Sequence, residues 1–245
     1  MTQRLCAHDS NPAIAICSGC GEDICGLCHR ATLTGYALCV VCARKIDAAL
    51  SPAWERAHTF GELLMAFPIT AVAVLSSARA VFSILPARGP VLRSLTFGTL
   101  AYMIGAYATL LWQWAFVDSF PEFVADFAAR VSVSEDAAFG TLLAVLPLGS
   151  VFAVALQVVL LHLSLRIFGA RAHWSVTARI VGYASASYLL QIIPPIAQFP
   201  IGHTLSVVWL VNVQMIAVRY TFDLGIWKAM AAVFVPFVAL ILIGV

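Results

Sequence analysis

Seven cysteines and one histidine near the start of the chain have the spacing of metal ligands. They form four pairs, which are Cys6/His8, Cys17/Cys20, Cys25/Cys28 and Cys39/Cys42. Two residues between cysteines let a turn direct both sulfurs at one ion, so each such pair supplies half of a tetrahedral zinc site. Four half-sites therefore predict two zinc ions per chain.

The order of these pairs predicts how they share the two ions. Only four residues separate Cys20 from Cys25, too few for neighbouring pairs to fold back easily on one ion. We therefore expect a cross-brace in which the first pair joins the third and the second joins the fourth. The first zinc would be bound by Cys6, His8, Cys25 and Cys28, and the second by Cys17, Cys20, Cys39 and Cys42. Four protein ligands per ion are typical of structural zinc and leave no open catalytic position.

A unit this small has little hydrophobic core, so the metal is expected to supply most of its folding free energy. Its few apolar residues are expected to pack between the ions; they are Ile14, Ile16, Ile24, Leu27 and Leu38. The alternative is a redox dithiol cluster. A thioredoxin-like redox motif would need one Cys-x-x-Cys pair beside a βαβ pattern, which is absent from the sequence.

The ligand spacing over residues 1–45 resembles the B-box zinc finger. The first pair departs from that family, because only Ala7 separates Cys6 from His8 where B-boxes usually have two residues. Asp9 and His29 are therefore the alternatives to His8 as fourth ligand of the first zinc. The final Cys/Cys pair also departs from the animal form. The resemblance implies protein–protein contact, including self-association, and no catalysis by this module.

Composition predicts that the rest of the chain is an integral membrane domain. Hydrophobic residues make up 62% of the chain and charged residues 11%, against roughly 45–50% and 25% in soluble domains. Residues 1–45 are predicted to be the zinc module, 46–59 a linker and 60–245 the membrane domain. The net charge of +2, without a basic run, argues against nucleic acid as a partner. The start of the chain has no apolar core typical of a signal peptide.

Apolar segments of bilayer length predict five membrane spans. Residues 180–218 form an uncharged run of about twice one crossing, interrupted by Pro194, Pro195 and Pro200, which predicts a tight helical hairpin. Residues 60–87 are expected to form an amphipathic or re-entrant helix at the interface, because 63–78 is short for a span; a sixth span is the alternative. The five expected spans are about 94–117, 139–163, 178–196, 201–219 and 226–245.

Charges in the loops predict the orientation of these spans. Residues 118–136 contain five acidic residues and one arginine. The segments before the first span and between the second and third spans contain arginines and no acidic residue. The positive-inside rule then places the N-terminus in the cytoplasm and the C-terminus outside. A reducing cytoplasm would also suit the zinc thiolates.

The membrane domain has no residue arrangement that predicts an enzyme. No carboxylate lies at the centre of a span, and no Ser/His, Asp/Asp or His-Glu-x-x-His arrangement is present. His162 near the inner end of a span is expected to reach toward the headgroups. The remaining polar side chains are expected to be interhelical hydrogen-bond partners; they are Gln113, Gln157, Gln191, Asn212 and Gln214.

Residues 60–245 resemble the Yip family of membrane proteins and its bacterial relatives. The matching stretches are 74–85, Ala178–Tyr183 with Pro194–Pro195, and Ile201–Gly202 followed by a span. The resemblance implies a non-enzymatic protein of membrane organisation or trafficking, and the fusion of a B-box to such a domain suggests a bacterial chain and its inner membrane. The expected fold is an all-α polytopic membrane protein with five spans, an interfacial helix and an N-terminal double-zinc module. The expected function is a membrane adaptor whose cytoplasmic head binds a protein partner or itself; the alternative is a small channel or transporter regulated by the head.

Overall fold

The chain forms two compact units in the computed structural model. One comprises Met1–Pro52 with Ile84–Pro86, and the other comprises Ala53–Ser83 with Ala87–Val245. The structure describes residues 5–7, 11–18, 20–31, 37–39, 42, 52–84, 90–170, 172–196, 199–222 and 224–243. The small unit contains the cysteines, and the large unit is helical.

Two short hairpins build the described part of the small unit. Strand β1 (Ala15–Ile16) pairs antiparallel with β2 (Asp23–Ile24), and β3 (Arg30–Ala31) pairs antiparallel with β4 (Ala37–Leu38). The turn between β1 and β2 contains Gly21 at a φ of +76°, a left-handed conformation that glycine adopts without a steric penalty. The hairpins place the cysteine pairs at turns and strand ends.

The core of the small unit is smaller than the sequence predicts. Ile24 and Leu38 are buried together with Cys17 and Cys39. The prediction that all five apolar residues pack inside is wrong for three of them: the exposed fractions are 66% for Ile14, 54% for Ile16 and 71% for Leu27. Ile16 lies on the exposed side of β1, and Ile14 and Leu27 lie outside the strands, so these side chains remain at the surface.

The large unit consists of helices along its described residues. Their bounds are α1 Ala53–Arg56, α2 Phe60–Ile84, α3 Val91–Phe116, α4 Phe120–Val131, α5 Glu135–Ile167, α6 Trp174–Ala184, a 3₁₀ helix Ser185–Ile192, α7 Ile201–Phe222 and α8 Ile226–Ile243. Helix α1 lies in the region predicted to be a linker. It belongs to the helical unit.

Helix α6 and the 3₁₀ helix that continues it lie at the centre of this unit. Every residue from Thr177 to Ser187 is buried. Glycines allow neighbouring backbones to approach: a Cβ on Gly98 of α3 would lie 2.7 Å from the carbonyl oxygen of Gly182, and one on Gly105 would contact the carbonyl oxygen of Tyr188. Glycines of α3 thus line its contact with the central helix.

Among the described residues, four helices are long and apolar enough to cross a membrane, which indicates a multi-pass membrane protein. They are Phe60–Phe82, Val91–Phe116, Glu135–Ile167 and Ile201–Phe222. Three of these coincide with predicted spans, and the first covers the segment expected at the interface. That segment forms a longer helix than 63–78 suggested, with Pro68 inside it and non-helical backbone angles at Ser77. The five-span count stays a prediction.

The other two predicted spans have different forms. The expected span 178–196 is divided between α6 and the 3₁₀ helix, neither of which alone has 18 residues. The final helix α8 runs for 18 residues, and its described apolar part Ile226–Pro236 is shorter than a span.

Candidate functional site

Four cysteine sulfurs from the second and fourth pairs of the chain meet in the small unit. The Sγ atoms of Cys17, Cys20, Cys39 and Cys42 all lie within 4.8 Å of one another. The β1–β2 turn brings Cys20 back beside Cys17, where the N–H of Gly21 donates to the carbonyl of Cys17. All four ligands are thiols, a donor set that selects soft metal ions such as Zn²⁺.

The geometry of this cluster fits a tetrahedral ion. The Sγ atoms of Cys20 and Cys39 are 3.8 Å apart, and two ligands at the ~2.3 Å zinc–sulfur distance of a tetrahedral site would be separated by about 3.8 Å. The backbone N–H of Cys39 donates to Cys17 Sγ at 3.1 Å, and that of Cys42 donates to Cys39 Sγ at 3.3 Å. Such donors stabilise negative charge on sulfur, as a bound metal requires.

The seven cysteines form no disulfide, and their clustering opposes ionisation when no cation is present. The hydrogen bond with Cys39 and burial raise the pKa of the Cys42 thiol to about 12. A divalent cation reverses this effect, because it attracts the thiolates that otherwise repel one another. The cluster is therefore suited to exchanging protons for a metal ion.

A second cluster contains three cysteines from the first and third pairs. The Sγ atoms of Cys6, Cys25 and Cys28 lie within 4.8 Å of one another, and Cys6 and Cys25 are buried. The predicted fourth ligand, His8, and its alternative Asp9 lie outside the described residues. His29 is described but does not belong to the cluster. Burial and hydrogen bonding to the other two thiols raise the pKa of Cys28 to about 12.

The large unit contains a buried ion pair that the sequence analysis missed. Arg179 donates to Glu55 Oε1 through Nε at 3.2 Å and Nη2 at 2.7 Å, and the hydroxyl of Tyr183 donates to the same oxygen at 2.6 Å. The side chains of Glu55 and Arg179 are 3% and 1% exposed. Arg179 belongs to the arginine-containing segment expected to be a loop between the second and third spans, and that expectation is wrong for Arg179 because it lies inside α6.

Arg93 and Trp54 attach α1 to the start of α3 around this pair. The Arg93 guanidinium donates to the carbonyl oxygens of Glu55 and Ala57 at the end of α1. In return, the indole N–H of Trp54 donates to the carbonyl of Arg93 at 2.7 Å. One sequence signal was available: Arg179 and Tyr183 are four residues apart, so they lie on one helix face beside an otherwise apolar segment.

Gln191 is an interhelical hydrogen-bond partner, as the sequence predicts. Its Oε1 accepts from Thr109 of α3 at 3.1 Å, and its Nε2 donates to Ser206 of α7 at 3.1 Å. Gln214 is also buried, but its Nε2 has no partner among the described residues. His162 is half-buried and contacts Thr177 of α6 at 3.2 Å through Nδ1. It therefore packs between α5 and α6, and its expected reach toward the headgroups stays a prediction.

Helix α4 follows the first long helix predicted to span the membrane. Its buried face consists of Phe120, Val124 and Ala128. Phe123 and Val131 lie at the surface, with exposed fractions of 55% and 48%. The buried face follows a strict i, i+4 spacing, with Ala138 of α5 against it.

Comparison of the chain with protein-family models, curated proteins and solved structures finds no match. Functional inference therefore depends on the thiol clusters and on the residues of the helical unit.

Proposed function

We propose that this protein is a non-enzymatic membrane adaptor, in which a zinc-stabilised head binds a protein partner and the helical unit holds it in the bilayer. The four-thiol cluster is the observation that carries the proposal. A site made of four cysteines fills every position of a tetrahedral ion, which is typical of structural zinc and leaves none for a substrate. Zinc, two ions per chain, is the metal that this donor set favours.

The surface of the head supports a role in protein binding. Ile14, Ile16 and Leu27 are exposed, and Ile14 Cδ1 lies 3.8 Å from the position that a Cβ on Gly26 would occupy, beside Leu27. Exposed apolar residues grouped on a small unit are typical of an interaction site. The partner would be a cytoplasmic protein or a second copy of the chain.

The membrane assignment includes finer proposals. We place the N-terminus in the cytoplasm and the C-terminus outside, in a bacterial inner membrane, on the loop charges and the need for reduced thiols. Five spans with an interfacial helix, as in Yip-like proteins, remain our proposed arrangement. The exposed apolar side chains of the long helices support contact with lipid; Leu148, Phe152 and Leu163 on α5 are examples.

The test combines metal analysis with partner capture by the full-length protein. We expect two zinc ions per chain in the purified protein, and loss of one of them in a Cys17→Ser/Cys20→Ser variant. In-cell crosslinking should then yield a partner set, or a crosslinked dimer, that is lost in an Ile14→Asp/Leu27→Asp variant with normal zinc content. Ser18→Asp, at an exposed position of the same unit, is the matched control. Zinc-free protein, or crosslinks unchanged by the double substitution, would contradict the proposal.

A polar cavity around Gln157, Gln191 and Asn212 would favour the alternative of a channel or transporter. A cavity between the described residues of α3 and α7 is lined by Gln191 but not by Gln157 or Asn212. Tyr188 instead hydrogen-bonds Gln157. The adaptor is therefore the function we place first.

A further inference from the structure

The cysteines of the small unit differ in their access to solvent. In the four-thiol cluster Cys17 and Cys39 are buried and Cys42 is half-buried, whereas Cys20 is exposed. All seven cysteines belong to the described residues, and Cys20 is the only exposed one among them. Its Sγ–H donates at 3.6 Å to Oε2 of Glu22, which is also exposed. A reagent in solution therefore reaches the thiol of Cys20 more easily than any other.

A second thiol lies close enough to Cys20 to form a disulfide with it. The Sγ atoms of Cys20 and Cys39 are 3.8 Å apart. The sulfur–sulfur distance of a disulfide is about 2.05 Å, so the two atoms would have to approach by about 1.8 Å. Cys20 lies in the turn after β1, and Cys39 directly follows β4, so both lie outside the strands. Their approach therefore leaves the pairing within each hairpin in place.

We propose that Cys20 is a modification site for hydrogen peroxide, and that its oxidation releases the ion of the four-thiol cluster. This inference rests on the proposed zinc-stabilised head and names a way in which that head is regulated. A bound zinc ion holds its ligands as thiolates, the form of cysteine that acts as a nucleophile. Because four thiolates fill the coordination of the ion, the peroxide meets the exposed sulfur and not the metal.

The oxidation takes place in two steps. The thiolate of Cys20 attacks one oxygen of the peroxide, the O–O bond breaks, hydroxide leaves, and Cys20 becomes a sulfenic acid. The thiolate of Cys39 then attacks the sulfur of Cys20, the S–O bond breaks, and a second hydroxide leaves. Two protons from the solvent convert both hydroxides to water. The two sulfurs thus lose two electrons in total, and one peroxide is reduced to two waters.

Formation of this disulfide removes two of the four ligands, and the remaining pair, Cys17 and Cys42, no longer completes a tetrahedral site. The second cluster differs, because Cys6 and Cys25 are buried and Cys28 is half-buried. It therefore keeps its ion under mild oxidation. Thiol reductants reverse disulfides by exchange. Peroxide thus inactivates the head by removing one ion, and reduction in the presence of zinc restores it.

The test treats reduced, full-length protein in detergent with one equivalent of hydrogen peroxide per chain. A chromogenic indicator measures the released zinc, and alkylation of the remaining thiols followed by peptide mass spectrometry locates the first disulfide. We expect release of one of the two zinc ions and a disulfide between Cys20 and Cys39, with Cys6, Cys25 and Cys28 still open to alkylation. A first disulfide that lacks Cys20, or one within the second cluster, would overturn the proposal.

Two variants separate Cys20 from the rest of its cluster. Histidine can replace one cysteine of a structural zinc site, since three cysteines and one histidine are a common ligand set, and imidazole forms no disulfide. Cys20→His should therefore retain both zinc ions after the peroxide treatment. Cys42→His, the matched control in the same cluster, should release one as the unaltered protein does. Equal release from the two variants would refute Cys20 as the reacting thiol.

Failure of this proposal can be distinguished from failure of the proposed function. Protein that contains no zinc before oxidation would contradict the zinc-stabilised head. The disulfide map of the unaltered protein would still decide whether Cys20 reacts first, because that measurement does not require the ion.

Discussion

Removing the charge of Glu55 should destabilise the helical unit far more than removing a charge from an exposed ion pair with the same distance between nitrogen and oxygen. In Glu55→Gln the Arg179 guanidinium stays buried without its counter-ion, although the amide oxygen can still accept from Tyr183. Breaking a buried pair by changing one partner typically costs about 3–5 kcal/mol. The side chains of Glu55 and Arg179 are almost wholly buried, so little of this loss is screened by solvent.

The assay is the free energy of unfolding, measured by titration of the detergent-solubilised protein with SDS. The chain supplies a matched control, because Arg130 and Asp126 also lie 2.7 Å apart but are 75% and 63% exposed. Asp126→Asn should cost about 0–1 kcal/mol. The double change Glu55→Gln/Arg179→Met should recover most of the loss, since apolar replacement of a buried pair is often neutral or stabilising. If Glu55→Gln costs no more than Asp126→Asn, the buried pair is not a stabilising feature of the fold.

Three further outcomes are expected. Gly182→Ala would place a methyl group against the backbone carbonyl of Ser94 and should destabilise the helical unit by about 1–3 kcal/mol. Gly140→Ala, in open space on α5, should instead stabilise it by up to about 1 kcal/mol. Equal effects of the two changes in the same SDS titration would refute the close approach at Gly182. Zinc affinity should fall steeply from about pH 8 to about pH 5, because the raised pKa values of the thiols make protons competitors of the metal. A chromogenic zinc indicator would detect the released zinc. Zinc binding that does not change with pH would contradict this competition. A chain that begins at Ala53 should have a helical unit as resistant to SDS as that of the full chain. A chain that begins at Phe60 lacks Glu55 and should be less resistant. Equal resistance of the two shortened chains would show that α1 does not stabilise the helices.

The thiol clusters could be predicted from local spacing, because the two cysteines of a Cys-x-x-Cys pair lie within one turn of the chain. Long apolar runs likewise indicated the helices of a membrane domain. Neither signal extends to contacts between distant residues. Glu55 and Arg179 are 124 positions apart, and nothing in a mixed-charge segment after the head marked Glu55 as buried. The prediction of a linker at 46–59 relied on composition alone, and composition does not show that Trp54 and Glu55 find partners on α3 and α6.

The change of helix type in the central helix is a second feature that local sequence patterns do not predict. Residues 178–196 are uniformly apolar enough to suggest one ordinary span, yet the chain changes from α-helix to 3₁₀ helix at Ser185. The tighter 3₁₀ turn has i→i+3 hydrogen bonds and a longer rise per residue. Its backbone lies against Gly105 and Gly202, where side chains would not fit. The change of helix type is thus tied to glycines on other helices, which a local pattern cannot reveal.

The two units owe their stability to different interactions, and this separates their responses to perturbation. The small unit buries few apolar side chains, with Ile24 and Leu38 as its core, so we expect its folding to depend on ions bound by thiols. The helical unit depends on backbone contact at glycines and on the pair Glu55–Arg179, neither of which involves a metal ligand. Chelation, or Cys25→Ser, should therefore unfold the head while the helical unit keeps its resistance to SDS. Coupled loss of both would mean that the metal sites also stabilise the membrane domain.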